Sequence, residues 1–491
     1  MERVVPLLAG VVVASMFVFG CGEDEANADS DLPDTSREEY DVTDMQDAGR
    51  TNDRGTMNSQ DSSEPDTSSR AGSDAGDSSD DTSSTDPSNG AFVRHTVDKK
   101  AYGPAFAAVA DLGDDGSLDL VVSQFGDVGV GVPDGRLAIY RQGADLDTWN
   151  RSYVFKESEN IKFPNHPTVA DLDDDGDLDI VLPYGFFACA LFGRPCGGLA
   201  WFEQTSGGWN RHDLVESGSS REFYHRAVLV DVDHDGTDDL VTVAEHFNGV
   251  SGGATAQWFR GNDSDDRFAS KPMEIGEGMG SFVRVLDVDK DSDLDLISAE
   301  FFTDSSFAWF ERKADPSSAD PAGVWKRHVI DDKVGSAIQL SMIPDLYGKG
   351  ERYAVGANHT NVHEGEPKSA VYAYKVPGNP AKDAWTRTKL STGVEAAPNQ
   401  GFAQNLAPGI FGHGDVDRDG DIDLMVSGDG DPDVYWLEQE GGSFKTKVLQ
   451  KDLTQAGCMN VRDLDGDNNT DVVVSGYDDN VIYIFAWTPG K

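Results

Sequence analysis

Residues 171–182 read Asp171-Leu172-Asp173-Asp174-Asp175-Gly176-Asp177-Leu178-Asp179-Ile180-Val181-Leu182, and this stretch decides the fold. Carboxylates stand at positions 1, 3, 5, 7 and 9, a glycine at position 6, and an apolar run follows at once. Hard divalent cations take six to eight oxygens, so a loop that crowds carboxylates around a tight turn suits them. Gly176 supplies the positive φ that such a turn requires. In this pattern positions 1, 3 and 5 offer side-chain oxygens and position 7 a backbone carbonyl. Position 9 adds an Asp from the start of the next strand. An EF-hand opens the same way but needs a Glu at position 12 and helical flanks. Here position 12 is Leu182 and the flanks alternate as strands, which excludes it.

Outward from this loop the pattern recurs. A first copy carries Asp111, Asp115, Ser117 and Asp119, with Gly113 in place of the second carboxylate. The third carries Asp231, Asp233, Asp235, Thr237 and Asp239, and the fourth Asp287, Asp289, Asp291, Asp293 and Asp295. The sixth carries Asp415, Asp417, Asp419, Asp421 and Asp423, and the seventh Asp463, Asp465, Asp467, Asn469 and Asp471. Ser292 and Asn468 replace the glycine in the fourth and seventh copies. The fifth copy, from Asp345, has Tyr347, Lys349 and Tyr353 where ligands belong, so that loop is expected to hold no ion. Five or six calcium sites are expected in all, together with Asp177 of the second loop as a carbonyl donor.

Other elements keep step with the loops. An aromatic strand follows each, as in Leu199-Ala-Trp-Phe202 and Phe307-Ala-Trp-Phe310, and then a strand of the form aromatic-x-Arg, as in Trp209-Asn-Arg211 and Trp325-Lys-Arg327. The third unit's version, near Phe268, is poor. Four short strands per unit, repeated about an axis, make a β-propeller. The seventh unit ends after its aromatic strand, while an orphan strand, Phe92-Val-Arg-His-Thr-Val97, stands at the start of the domain. Placing that strand on the last blade closes the ring and covers a sheet edge. The expectation is an all-β, seven-bladed propeller of four-stranded blades over residues 91–491.

The repeats, taken together, resemble the FG-GAP/VCBS repeat family, whose best-known fold is the propeller of integrin α-subunits. The resemblance implies the propeller and its calcium sites, and says little about function.

Ahead of the domain lie two different segments. Residues 1–21 carry a weakly basic start at Arg3, an apolar stretch from Leu7 to Phe19, and the sequence Val18-Phe19-Gly20-Cys21. The apolar run is short for a membrane span. Its end resembles the lipobox of bacterial lipoproteins, with Phe19 where Ala or Ser is usual, which implies lipidation of Cys21. Gly22 after the cysteine implies the outer membrane or cell surface rather than the inner membrane. Residues 22–90 are rich in Ser, Asp, Thr and Gly, with 20 acidic and 4 basic residues. Such a segment buries too little apolar surface to offset its ordering entropy and reads as a disordered tether.

The formal net charge of -48 repels nucleic acid and anionic lipid, so neither is an expected partner and the membrane is reached only through the anchor. Cys189 and Cys196 share one short loop and are candidates for a disulfide in an oxidising compartment; Cys458 reads as a buried thiol. Long, irregular loops on the face away from the Asp loops are the expected place for a ligand. His166, Tyr224, His225, Arg226, Arg284 and His413 are the candidate residues there. The pattern contains no H-E-x-x-H, P-loop or Rossmann motif. The leading expectation is a non-catalytic, adhesion-type surface protein that binds another protein or a glycan. The alternative is a propeller-type carbohydrate-active enzyme, a polysaccharide lyase or sugar dehydratase, with its site at the channel mouth.

Overall fold

Each Asp loop is followed by β-branched and aromatic residues that fit a pleated, doubly covered surface. The computed structural model describes residues 90–490, apart from 128–132, 157–158, 187–188, 190–194, 220, 248–250, 263, 265–266, 303–305 and 400–404. The signal, tether and Cys21 expectations lie outside the described residues.

Seven antiparallel sheets of four strands form the blades. In blade one the strands are β2 (Pro104–Ala110), β3 (Asp119–Gln124), β4 (Arg136–Gln142) and β5 (Trp149–Phe155), in that order across the sheet. Blades two to six repeat this, each entering on an innermost strand: β6 (Thr168–Ala170), β10 (Glu222–Val230), β14 (Arg284–Leu286), β18 (Ala337–Pro344) and β22 (Phe411–Gly414). Blade seven takes three strands from the C-terminus, β26 (Ala456–Arg462), β27 (Asp471–Gly476) and β28 (Val481–Thr488), and its fourth, β1 (Ala91–Asp98), from the start of the domain. Ala91 pairs with Thr488 and Thr96 with Tyr483 along that closure.

The burial patterns show why sequence order becomes spatial order. Innermost and second strands are almost wholly buried, as in Pro104–Ala110 and Asp119–Gln124, while the outermost strand alternates, as in Ser443–Gln450. The innermost strands are therefore apolar on both faces and sit between neighbouring blades and the axis. One strand departs from the sequence reading. The fourth strand of blade three is β13 (Met273–Glu277), not the segment near Phe268, which makes only an isolated bridge to Gly261. Met273-Glu-Ile-Gly-Glu277 carries no aromatic-x-Arg, so the repeat signal was missing there.

The Arg of that motif joins blades. Arg151 and the hydroxyl of Tyr140, both in blade one, meet Asp98 at the end of β1, at 2.6 and 2.9 Å. The same trio recurs where Arg387 and Tyr374 of blade five meet Asp331 of blade four. Cys189 and Cys196 are joined by a disulfide on the loop after β7 (Asp179–Tyr184).

Candidate metal loops and the opposite face

All the Asp loops connect a blade's innermost strand to its second, so they share one face of the ring with the hairpins between third and fourth strands. The loop backbone is built by hydrogen bonds from its own N–H groups to the position-1 carboxylate. In loop three the N–H groups of Asp235 and Gly236 donate to Asp231 at 3.0 and 2.8 Å. Loops one and four repeat this with Gly116 and Ser292. Position 6 takes positive φ in every copy, including Ser292 at 79° and Asn468 at 64°. Position 4 does too, through Asp114, Asp174, His234, Lys290 and Arg418, a requirement the sequence did not announce. The fifth loop keeps this backbone with Gly348 and Gly350, and its Asp345, while losing the carboxylates of positions 3, 5 and 9.

The Asp at position 9 has a second task. In blades two, three and four one of its oxygens accepts the N–H of position 2 (Leu172, Val232, Val288) and the other the N–H of Gln204 or Arg312 on the third strand, or of Gly261 just past it. It thus braces the loop against the sheet, and each oxygen retains a lone pair for an ion.

Five loops bring three carboxylates within one ion's reach. The groups are Asp171, Asp173 and Asp175; Asp231, Asp233 and Asp239; Asp287, Asp289 and Asp291; Asp415, Asp417 and Asp419; and Asp463, Asp465 and Asp471, each with ligand atoms within 4.8 Å of one another. Loop one forms no such group among the described residues, and the guanidinium of Arg141 lies 2.5 Å from Asp119. A Cβ on Gly113 would stand 2.9 Å from that same guanidinium nitrogen, so Arg141 occupies the space of the missing position-3 carboxylate.

Burial sets the electrostatics. It pushes Asp179 up to about 7, and Asp295, Asp423 and Asp471 up to about 8, against the lowering effect of the N–H groups they accept. Asp289 rises to about 6 through burial and then the charges of Asp291 and Glu311. In blade six Asp423 is 0% exposed and its Oδ2 has no hydrogen-bond partner among the described residues. Buried carboxylates this close, with an oxygen left over, fit a metal ion as the neutralising group.

The opposite face carries the loops between second and third strands and the segments leading into each blade. The six candidate ligand residues lie there or just inside the channel, but they are buried. His166 is 0% exposed, Tyr224 1%, His225 and Arg284 2%, Arg226 4% and His413 6%. The channel's upper end is filled by rings. Phe106 of blade one lies 6.1 Å from Phe282, at the entry to blade four, and 6.2 Å from His166; His225 is 6.0 Å from Phe282. His225 Nδ1 is 2.5 Å from Glu245, which also accepts from Ser281 at 3.1 Å. Burial, reinforced by the charge of Arg284, lowers His166 to about 4. A residue just before an inner strand turns inward to the axis, which is why position in the repeat did not separate a ligand contact from a plug.

Glu245, Glu300, Gln124 and Asn358 were missed. Each is 0% exposed near the end of a second strand. Glu300 holds Arg327 at 2.5 Å, and Asn358 donates to the carbonyls of Val334 and Lys368. The available signal was a polar residue five places after position 9, in Gln124, Glu300 and Asn358 alike.

Fold and loops together define a seven-bladed propeller with acidic, metal-type loops between the inner strands of its blades. Residues 415–474, spanning loops six and seven, match the FG-GAP-like repeat. No curated protein matches the chain. Among solved structures, an α-L-arabinanase from Penicillium chrysogenum, complexed with arabinobiose, is 10% identical; the match covers 81% of this chain and 98% of that one, with a TM-score of 0.44. A rhamnogalacturonan lyase from Bacillus licheniformis is 14% identical over 80% of this chain and 75% of that one, at 0.40. A mutant Trypanosoma rangeli sialidase with trans-sialidase activity is 12% identical over 81% and 58%, at 0.37. At these scores the likenesses carry no inference about activity.

Proposed function

We propose that this chain is a calcium-stabilised cell-envelope protein, anchored through lipid on Cys21 at the outer membrane or cell surface, that binds a protein or glycan on its loop-rich face without turning it over. The burial of His166, His225, Arg284 and His413 carries the non-catalytic part. An enzyme at the channel mouth needs acid, base and cation side chains that a substrate reaches, and these are packed among Phe106, Phe282 and the neighbouring blades.

Calcium is the favoured ion because the donors are all oxygens and extracellular modules work at dissociation constants of roughly 0.1–1 mM. At a tenfold excess over such a constant each site adds about 1.4 kcal/mol to stability. The second reading, a carbohydrate-active enzyme, draws on the close pair His225 and Glu245.

The test is the full chain in millimolar calcium, applied to a glycan array and then incubated with uronate polysaccharides while unsaturated products are followed by absorbance. Saturable binding that chelator abolishes, with no product, supports the binding reading. Product that accumulates in proportion to protein, and disappears in a Glu245→Gln variant, overturns it in favour of the enzyme.

A further inference from the structure

One position on the third strand of every blade faces its Asp loop, and its charge alternates around the ring. It directly follows Tyr140, Phe202, Phe259, Phe310, Tyr374, Leu437 and Phe485, and is Arg141, Glu203, Arg260, Glu311, Lys375, Glu438 and Ala486 in blades one to seven. The register places it opposite position 9. Ile180 pairs with Phe202, so Glu203 stands across from Asp179, and Asp471 pairs directly with Ala486.

In blades two, four and six the residue there is Glu203, Glu311 or Glu438, which the register sets across from Asp179, Asp295 and Asp423. Each Glu is held from the fourth strand by a base stacked on the aromatic strand's Trp. His212 is 2.8 Å from Glu203 and stacks on Trp201 at 4.4 Å; His328 is 2.7 Å from Glu311 and stacks on Trp309 at 4.7 Å. Lys447 pairs with Glu438 and lies 4.2 Å from the Trp436 ring. One oxygen is thereby fixed, and in blade four Lys313 pairs with the other oxygen of Glu311, Oε1. In blade six the other, Oε2 of Glu438, is buried with no hydrogen-bond partner among the described residues, as is Oδ2 of the fully buried Asp423.

Blades one, three and five put a cation in the same place. Arg141 pairs with Asp119, Arg260 with Asp233 and, at 3.1 Å, with Asp235, and Lys375 with Glu351. The loops themselves follow this division. The close carboxylate groups of blades two, four and six use positions 1, 3 and 5, whereas those of blades three and seven use 1, 3 and 9.

We infer that the ring holds two alternating kinds of loop: in blades two, four and six the third-strand Glu completes a divalent-cation site, and in blades one, three and five the third-strand Arg or Lys takes the place of the ion. Blade seven, with Ala486, keeps a plain Asp site. The inference rests on the calcium reading above and specifies it: four ions per chain, with an affinity set by Glu203, Glu311 and Glu438.

Calcium counted by equilibrium dialysis on the full chain tests it. Four bound ions are expected in the wild type. Arg260 is half exposed at 47%, so Arg260→Ala is expected to fold and to bind five. Glu311→Gln and Glu438→Gln are each expected to weaken one site by roughly ten- to a hundredfold, leaving the count at three at calcium levels that saturate the wild type. A wild type that binds no calcium overturns the calcium reading itself. A wild type that binds five or six ions, with a count unchanged by Arg260→Ala and affinities unchanged by both Gln variants, leaves that reading intact and overturns the alternation.

Discussion

Replacing Phe92 by Ala is expected to loosen the whole ring, although the residue lies on an outermost strand. Phe92 stands on β1 and meets Trp436 of blade six and Trp487 of blade seven edge-on, with centroids 5.4 and 5.0 Å apart. Two edge-to-face pairs contribute about 0.5–1.5 kcal/mol each beyond area burial. Half-burial of the ring adds about 1–1.5 kcal/mol at the usual transfer value. The sum is about 3 kcal/mol. Val93, the next residue, is 46% exposed and sets the control, since Val93→Ala keeps the strand and its ladder and is expected to cost less than about 0.5 kcal/mol. Urea unfolding gives both values in one series; at a slope near 3 kcal/mol/M the Phe92 variant's midpoint falls by about 1 M. Hydrogen exchange supplies the location, because β1 and β28 should lose protection before the inner strands do. Equal midpoints for the two variants, or exchange that rises uniformly, would refute the idea that β1 is the clasp.

Chelation of the full chain is expected to lower its melting temperature, by about 1.4 kcal/mol for each site that had been at tenfold saturation, and added calcium should restore it. A melt indifferent to calcium contradicts the metal reading. His166 and His359 are both held near 4 by burial, against an ordinary 6.5. A depressed folded value stabilises the fold above about pH 6.5 and the contribution is lost as pH falls toward 4. In saturating calcium, wild-type stability should therefore drop across that window, and His166→Phe should drop by up to about 3 kcal/mol less; identical pH profiles speak against it. The Cys189–Cys196 bridge closes a loop with a sequence separation of 7, worth about 2.5 kcal/mol by loop entropy. Denaturation of the double Ser variant, with and without reductant, measures it, and a variant as stable as the wild type would rule the contribution out. Cys21→Ser is expected to abolish incorporation of labelled palmitate and release the protein from the membrane fraction; continued labelling excludes Cys21 as the acceptor.

Much of the architecture was legible because it is written seven times. Asp loops, aromatic strands and aromatic-x-Arg strands recur in phase, and the missing fourth strand of the last unit announced where β1 belongs. The reading failed where a blade lacked the marker, as with Met273–Glu277. At the loops, sequence alone supplied the carboxylates but not what faces them. Arg141, Glu203 and Arg260 follow aromatic residues in plain sight, yet only strand pairing shows that they stand across from position 9. On the other face a buried His and an exposed one look alike in a sequence. Packing against Phe106 and Phe282 makes the difference for His166 and His225.

The pairing of Ala91 with Thr488 also bears on how the chain is made. β1 is translated first among the strands of the ring, and its partner last. Nearly 400 residues separate them, a loop whose closure costs about 5 kcal/mol in chain entropy. The ring cannot shut while the ribosome is still at work, so closure falls after synthesis and, for an exported chain, after translocation. A premature stop within the codons for Val481–Thr488 would then do its damage at the opposite terminus, by stripping β1 of the strand it pairs with.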